Sequence, residues 1–299
     1  MTDSPFGTNT TGANVPSAPS PPSKWKRPLI ATLLSLVTPG LGQLYNRQFW
    51  KGICVGLTGP ALYIPAGYFG AFRSFRSFVT LSLLLILWQV GVAVETFVTA
   101  RRQSFSHMLN PLPTWRWILG VVLLVAPVSF VPGGSAMERI MRVRPYKVPS
   151  ASNCPTVCEG ERMIVDPSAY RINPPRRGDL VMFRHPKFDS LLFKRVVGLP
   201  GDVVTQADDG ILVNGKPAVR ADLAHVCGNP PALDRSYLPV QPRTLTVPTD
   251  SLYVVGDNWS NSFDSRIEEF GFVHIQNVRG RPLFLYWSPY KNRIGCHLR

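Results

Sequence analysis

Hydrophobic residues are arranged in two different ways along the 299-residue chain. Up to residue 132 they gather in long blocks, at 29–45, 52–72, 78–99 and 116–132, whereas from residue 143 they break into short runs. The block at 78–99 is nearly uninterrupted and contains no proline, and at about 20 residues it predicts a helix able to cross a bilayer. The first block is cut by Pro39, Gly40 and Gly42 and predicts a re-entrant or interfacial hairpin. Pro60 and Pro65 interrupt the second, which is still long enough to span with a kink.

The short runs tell a different story. Arg162–Val165, Leu180–Phe183, Leu191–Val197, Ile211–Val213, Leu245–Val247, Leu252–Val255 and Leu283–Trp287 are rich in Val, Leu, Ile and Phe and are bounded by Gly, Pro, Asp and Asn. Asp209-Gly210 and Asn214-Gly215 are hairpin turn signals. With no long stretch of helical period, residues 143–299 read as an antiparallel all-β domain carrying an insertion at about 203–250. The predicted fold is therefore an N-terminal helical transmembrane region followed by an all-β domain.

Charge refines this picture. A formal net charge of +14 raises nucleic acid as a partner. The basic residues, however, are scattered beside apolar blocks, which favours anionic membrane lipid instead. Residues 1–27, rich in Ser, Thr, Pro and Gly and ending in Lys24, Lys26 and Arg27, read as a disordered cytoplasmic tail. A membrane module follows at 28–102, and a linker with a final transmembrane helix at 103–133. Placing Lys24, Lys26, Arg27, Arg47, Lys51, Arg101, Arg102 and Arg116 on one side, with Arg73 and Arg76 on the other, requires three crossings. The β-domain then lies outside the cytoplasm.

Of the five cysteines, Cys154, Cys158, Cys227 and Cys296 fall in the part expected to be exported; they allow two disulfides by three connectivities, or could all be free, and the sequence does not choose. No Cys or His spacing suggests a metal site, and no cofactor is implied.

Two stretches carry candidate chemistry. Pro149 and Pro155 deny a helix to the segment between them and predict an extended strand with Ser150 and Ser152 on one side. One hydroxyl would serve as nucleophile and the other as donor to an oxyanion. In Leu191–Asp202, alternation puts Leu192, Lys194 and Val196 on one face, with Phe193, Arg195 and Val197 on the other. Burial of the first face would favour a neutral Lys194 amine, able to take a proton.

Ser150-Ala-Ser152-Asn-Cys-Pro155-Thr156, Arg177-Gly-Asp179-Leu-Val-Met-Phe183, Lys194-Arg-Val-Val-Gly-Leu-Pro-Gly-Asp202 and Gly256-Asp-Asn-Trp-Ser-Asn-Ser262-Phe-Asp264-Ser-Arg266 occur in the order of the boxes of bacterial type I signal peptidases. Over residues 143–290 the chain resembles that family, and the resemblance implies a Ser/Lys dyad serine endopeptidase. By it Ser152 is the nucleophile and Lys194 the general base, and Ser150 joins the Ser152 N–H in an oxyanion hole. Ser262 falls where the family has a serine near the lysine, and Asp264 with Arg266 where it has a supporting ion pair. Pro39-Gly-Leu-Gly-Gln-Leu-Tyr similarly resembles a bacterial membrane module with a PGLGQxY-type motif, over residues 28–102.

The chain departs from the peptidase pattern at Asn153, commonly Met, and at Trp259, usually Arg. Two additional residues also separate Asp264-Ser-Arg266 from Gly271. The implied function is a multi-pass peptidase of the bacterial inner membrane whose extracytoplasmic domain removes signal peptides from exported preproteins through an acyl-enzyme. Two rivals are an inactive peptidase-fold scaffold or assembly factor, and a protease dedicated to one pilus or secretion substrate.

Overall fold

The computed structural model describes residues 26–102, 119–121, 142–187, 190–207, 210–218, 227–232 and 241–298. The expected tail, most of the last apolar block and parts of the expected insertion lie outside these residues. The described residues fall into two compact units, one of 26–56 with 89–102 and 119–121, the other of 57–88 with 142–298.

The first unit contains α1 (Lys26–Val37), α2 (Leu41–Tyr45), the start of α3 (Phe49–Tyr68) and the second half of α4 (Phe75–Arg102). The Pro39-Gly-Leu-Gly motif has a physical reason here. Pro39 follows the end of α1, Gly40 takes a left-handed φ of 97°, and a Cβ on Gly42 would come within 2.3 Å of the Ala31 carbonyl. The close approach lets polar groups reach across. Gln43 donates to Thr96 Oγ1 at 2.7 Å, Ser35 and Thr96 share a hydrogen bond of 2.9 Å, and Asn46 donates to the Thr96 carbonyl. Small residues and buried hydrogen bonds join these helices, beside a small apolar cluster of Leu44 and Ile53 with Leu41 and Phe49. Among the described helices, α4 is long and apolar enough to cross a membrane.

In the second unit a seven-stranded antiparallel sheet runs β1-β2-β11-β3-β4-β9-β10. Its strands are β1 (Arg144–Lys147), β2 (Arg162–Asp166), β3 (Leu180–Arg184), β4 (Leu191–Gly198), β9 (Ser251–Val255), β10 (Val273–His274) and β11 (Val278–Trp287). A smaller sheet, β7-β6-β5-β8, uses β5 (Val203–Ala207), β6 (Gly210–Val213), β7 (Lys216–Pro217) and β8 (Arg243–Thr246). Every residue of β9 is buried, as are the last six of β4, because both sheet faces are covered. That is why these strands read as continuous apolar runs instead of alternating ones. The turn between α3 and α4 lies in this unit as well: Phe72, Phe75 and Phe78 pack with Ile164 and Phe284, and Arg73 pairs with Asp166 at 3.2 Å.

Three readings of the sequence need correction. The run placed at Leu245–Val247 begins earlier, at Arg243. Strands β1, β5, β7 and β10 went unseen, β1 because Arg144-Pro-Tyr-Lys147 is a charged edge strand with a proline. Residues 151–158 are not extended: Cys154 N–H bonds the Ala151 carbonyl, Val157 N–H bonds the Asn153 carbonyl, and a Cys154–Cys158 disulfide closes a tight turn.

Candidate active site

Three segments meet around β4, an interior strand of the large sheet: the turn at Ser150–Cys158, β4 itself, and the loop Gly256–Arg266 that follows β9. Lys194 lies on the face of β4 that it shares with Leu192 and Val196, opposite Val181 of β3, and that face belongs to a core that also holds Leu252 and Val254. The lysine is itself buried, with 3% exposure. Its Nζ donates to Ser152 Oγ at 2.8 Å. Burial pushes its pKa down to about 8, against the pull of Asp264 and Asp257 toward the charged form. The amine is therefore available as a proton acceptor near neutral pH. Ser150 Oγ stands 3.3 Å from Ser152 Oγ, so the turn brings together the hydroxyls that a strand was expected to align.

The Ser152 segment is held from several sides. Asn258 donates its N–H to the Ser152 carbonyl and its side-chain amide to the Ala151 carbonyl, both at 3.1 Å. Asn153 is buried and gives its amide to the Phe193 carbonyl at 2.6 Å, which ties the turn directly to β4. Gly256 is the only residue type that fits its place, because a Cβ there would lie 2.3 Å from the Ser152 carbonyl and 2.2 Å from Ser262 Oγ.

Asp264 and Arg266 come together as a buried two-bond pair at 2.8 and 3.0 Å, and Asp264 also accepts from the Gly256 N–H. Ser262 Oγ is buried close by but makes no hydrogen bond among the described residues, to Lys194 or to any other group. A cleft of about 400 Å³ opens over Ser152 and Lys194, lined by Ser150, Ala151, Ser190, Leu192, Asn261 and Phe263.

A sequence profile described as "Signal peptidase, peptidase S26" matches residues 114–287. The chain belongs to this signal peptidase family. It is a serine endopeptidase of the signal peptidase I type. It is 36% identical over 156 residues to a signal peptidase I of Leptolyngbya laminosa, covering 50% of this chain and 70% of that one. Against a signal peptidase I of Bacillus caldolyticus it is 33% identical over 181 residues, 59% of this chain and 91% of that one. The crystal structure of a signal peptidase I from Enterococcus faecalis matches with 31% identity and a TM-score of 0.29, over 37% of this chain and 97% of that one. A second profile, of a family of unknown function, matches residues 24–105.

The departures from the signal peptidase pattern have structural places outside the cleft lining. Asn153 braces the turn. Trp259 is buried with the core of the small sheet, and the Arg266 guanidinium sits over its ring at 5.6 Å. The additional residues form a closed turn in which Phe270 and Gly271 N–H groups return to the Ile267 carbonyl, while Glu268 and Glu269 face solvent.

Sequence reasoning missed the ion pair of Arg195 with Asp257, a two-bond contact at 2.7 Å on the opposite side of β4 from Lys194. Burial disfavours the Arg195 charge, but the hydrogen bonds and field of Asp257 outweigh it and raise its pKa. Alternation had placed Arg195 on that face; nothing local linked it to a residue 62 positions later. Asn258, within a quoted box, was legible as a motif member but not as a clamp.

Proposed function

We propose that Ser152 and Lys194 form the catalytic dyad of a membrane-bound signal peptidase. The observation that carries this reading is the 2.8 Å contact between a hydroxyl and a buried amine whose pKa is lowered to about 8. As the scissile carbonyl enters the cleft, Ser152 Oγ attacks its carbon and the hydroxyl proton passes to Lys194 Nζ. Negative charge gathers on the carbonyl oxygen, where the Ser152 N–H and the Ser150 hydroxyl donate to it. Collapse breaks the C–N bond, Lys194 returns the proton to the departing amine, and the signal peptide is left as an ester on Ser152. Lys194 then takes a proton from water, which hydrolyses the ester. The supporting groups, Asp264 with Arg266 and Ser262, act on the shape of the loop and not on the reacting atoms.

The substrates of this reading are signal peptides of exported preproteins, bound as extended strands with small side chains in the cleft. Membrane topology follows from charge. Contact of Arg73 with Asp166 supports putting the α3–α4 turn on the same side as the peptidase domain, while the positive-inside rule puts Arg101 and Arg102 in the cytoplasm. Three crossings, with the catalytic domain outside the cytoplasm, satisfy both.

The test is cleavage of a preprotein with an Ala-x-Ala site by the detergent-solubilised chain, beside Ser152→Ala. Cleavage at that site by the wild type alone is the expected result. Equal cleavage by Ser152→Ala would remove the nucleophile assignment.

A further inference from the structure

Arg293 lies beyond the region that the peptidase profile matches, which ends at residue 287. Its side chain is nonetheless among the most deeply buried in the protein, at 1% exposure. The guanidinium donates to Glu161 Oε1 at 2.6 Å and Oε2 at 3.1 Å, to the Cys227 carbonyl at 2.7 Å, and to the carbonyls of Pro155 and Thr156, each at 2.9 Å. Pro155 and Thr156 form the apex of the turn that begins at Ser152. Glu161 in turn accepts the Cys158 N–H at 2.7 Å, at the far end of the same turn. One arginine therefore grips both the apex and the exit of the loop that presents the nucleophile.

The segment carrying Arg293 is itself fixed. Leu285 N–H bonds the Cys296 carbonyl, while Gly295 and Leu298 N–H groups bond the carbonyls of Leu285 and Leu283, so it is laid along β11. The Cys227–Cys296 disulfide ties it to the connection between β7 and β8 of the small sheet. On the opposite side, Arg195 reaches Thr156 Oγ1 at 3.4 Å. An ion pair with Glu161 alone would need only a positive charge. Holding Glu161 through Nε, the Cys227 carbonyl through Nη1 and the Pro155 and Thr156 carbonyls through Nη2 at once needs the planar fork, which lysine lacks.

We propose that Arg293 is a positioning residue for Ser152. By fixing the Pro155 and Thr156 carbonyls it holds the turn in the one path that puts Ser152 Oγ within reach of Lys194. The inference rests on the dyad reading, and a displacement of about 1 Å in a reacting group costs up to about 10²-fold in rate.

The experiment compares wild type, Ser152→Ala, Arg293→Lys and Arg293→Met as full chains in detergent, cleaving the Ala-x-Ala preprotein well below each melting temperature. Arg293→Lys keeps a charge facing Glu161 but gives up the fork. We expect it to lower kcat at least threefold, with KM within twofold and the midpoint of the pH profile unmoved, and Arg293→Met to lose more. If Arg293→Met does not fold, Arg293→Lys decides alone. A kcat within threefold of wild type, a loss confined to KM, or a shifted pH midpoint overturns the role of Arg293. Cleavage by Ser152→Ala would instead overturn the dyad, so the two failures are distinguishable.

Discussion

Lys194 and Arg195 are consecutive residues of one strand, both buried, and they resolve the cost of a buried cation in opposite ways. On one face, Arg195 meets Asp257 in a two-bond pair and stays charged. On the other, Lys194 meets a neutral hydroxyl and the more distant fields of Asp264 and Asp257, and desolvation wins. A lysine so placed gives up its proton easily; an arginine in the same place would not. The difference lies in whether a carboxylate sits in contact, and the strand's alternation keeps the two environments apart.

The largest effect that tests this contrast is on rate. Lys194→Ala should lower kcat/KM by about 10³-fold or more, because the hydroxyl loses its proton acceptor. Single-turnover cleavage measures it, and an active Lys194→Ala would mean that some other group is the base.

Next comes stability on the other face. Asp257→Asn should cost about 3–5 kcal/mol in denaturant unfolding, since it leaves the Arg195 charge buried and uncompensated. A loss below about 1 kcal/mol would mean that water reaches Arg195.

The third prediction reverses the sign. Lys194 titrates near 8 in the folded chain against 10.5 unfolded, a gap worth about 3 kcal/mol. Below pH 8 both states hold the proton and the fold bears the whole cost. Between 8 and 10.5 the unfolded state binds more protons, so stability rises with pH, and above 10.5 the cost is gone. Lys194→Met should therefore be inactive yet more stable by up to about 3 kcal/mol below pH 8, with the gain vanishing above pH 10.5. The same titration should make kcat/KM of the wild type rise with pH through about 8.

The smallest effect concerns Ser262, whose hydroxyl touches no partner among the described residues. Ser262→Ala should leave that pH midpoint in place and change stability by less than about 1 kcal/mol. A lowered or raised midpoint would show that the hydroxyl turns to Lys194 when substrate binds.

How much of this was legible in the sequence depended on distance along the chain. Ser152 and Lys194 sit in short boxes whose residues are neighbours in sequence, and the apolar face of Lys194 could be read from Leu192 and Val196. Buried runs such as Leu252–Val255 announced the main sheet. The pairing of Arg293 with Glu161 spans 132 residues, and the Cys227–Cys296 bond spans 69, with no periodicity to betray either. The turn at Ser152 was misread as a strand because its closure depends on which cysteines pair, which spacing alone left open. The membrane motif was visible as a string, yet its meaning lies in Gly42 meeting Ala31 and Gln43 meeting Thr96, contacts between helices that no single stretch contains.

The position of β11 bears on how such a chain comes into being. This strand is the last of the sheet to be synthesised, yet it lies between β2 and β3, near the middle. Until it arrives, the β1–β2 hairpin that flanks the Ser152 turn lacks its strand pairing to the part of the sheet that carries Lys194. A chain made from its N-terminus presents Ser152 and Lys194 well before the strand that completes the sheet between them. On the dyad reading, an incomplete chain should therefore be unable to cut its neighbours, or itself.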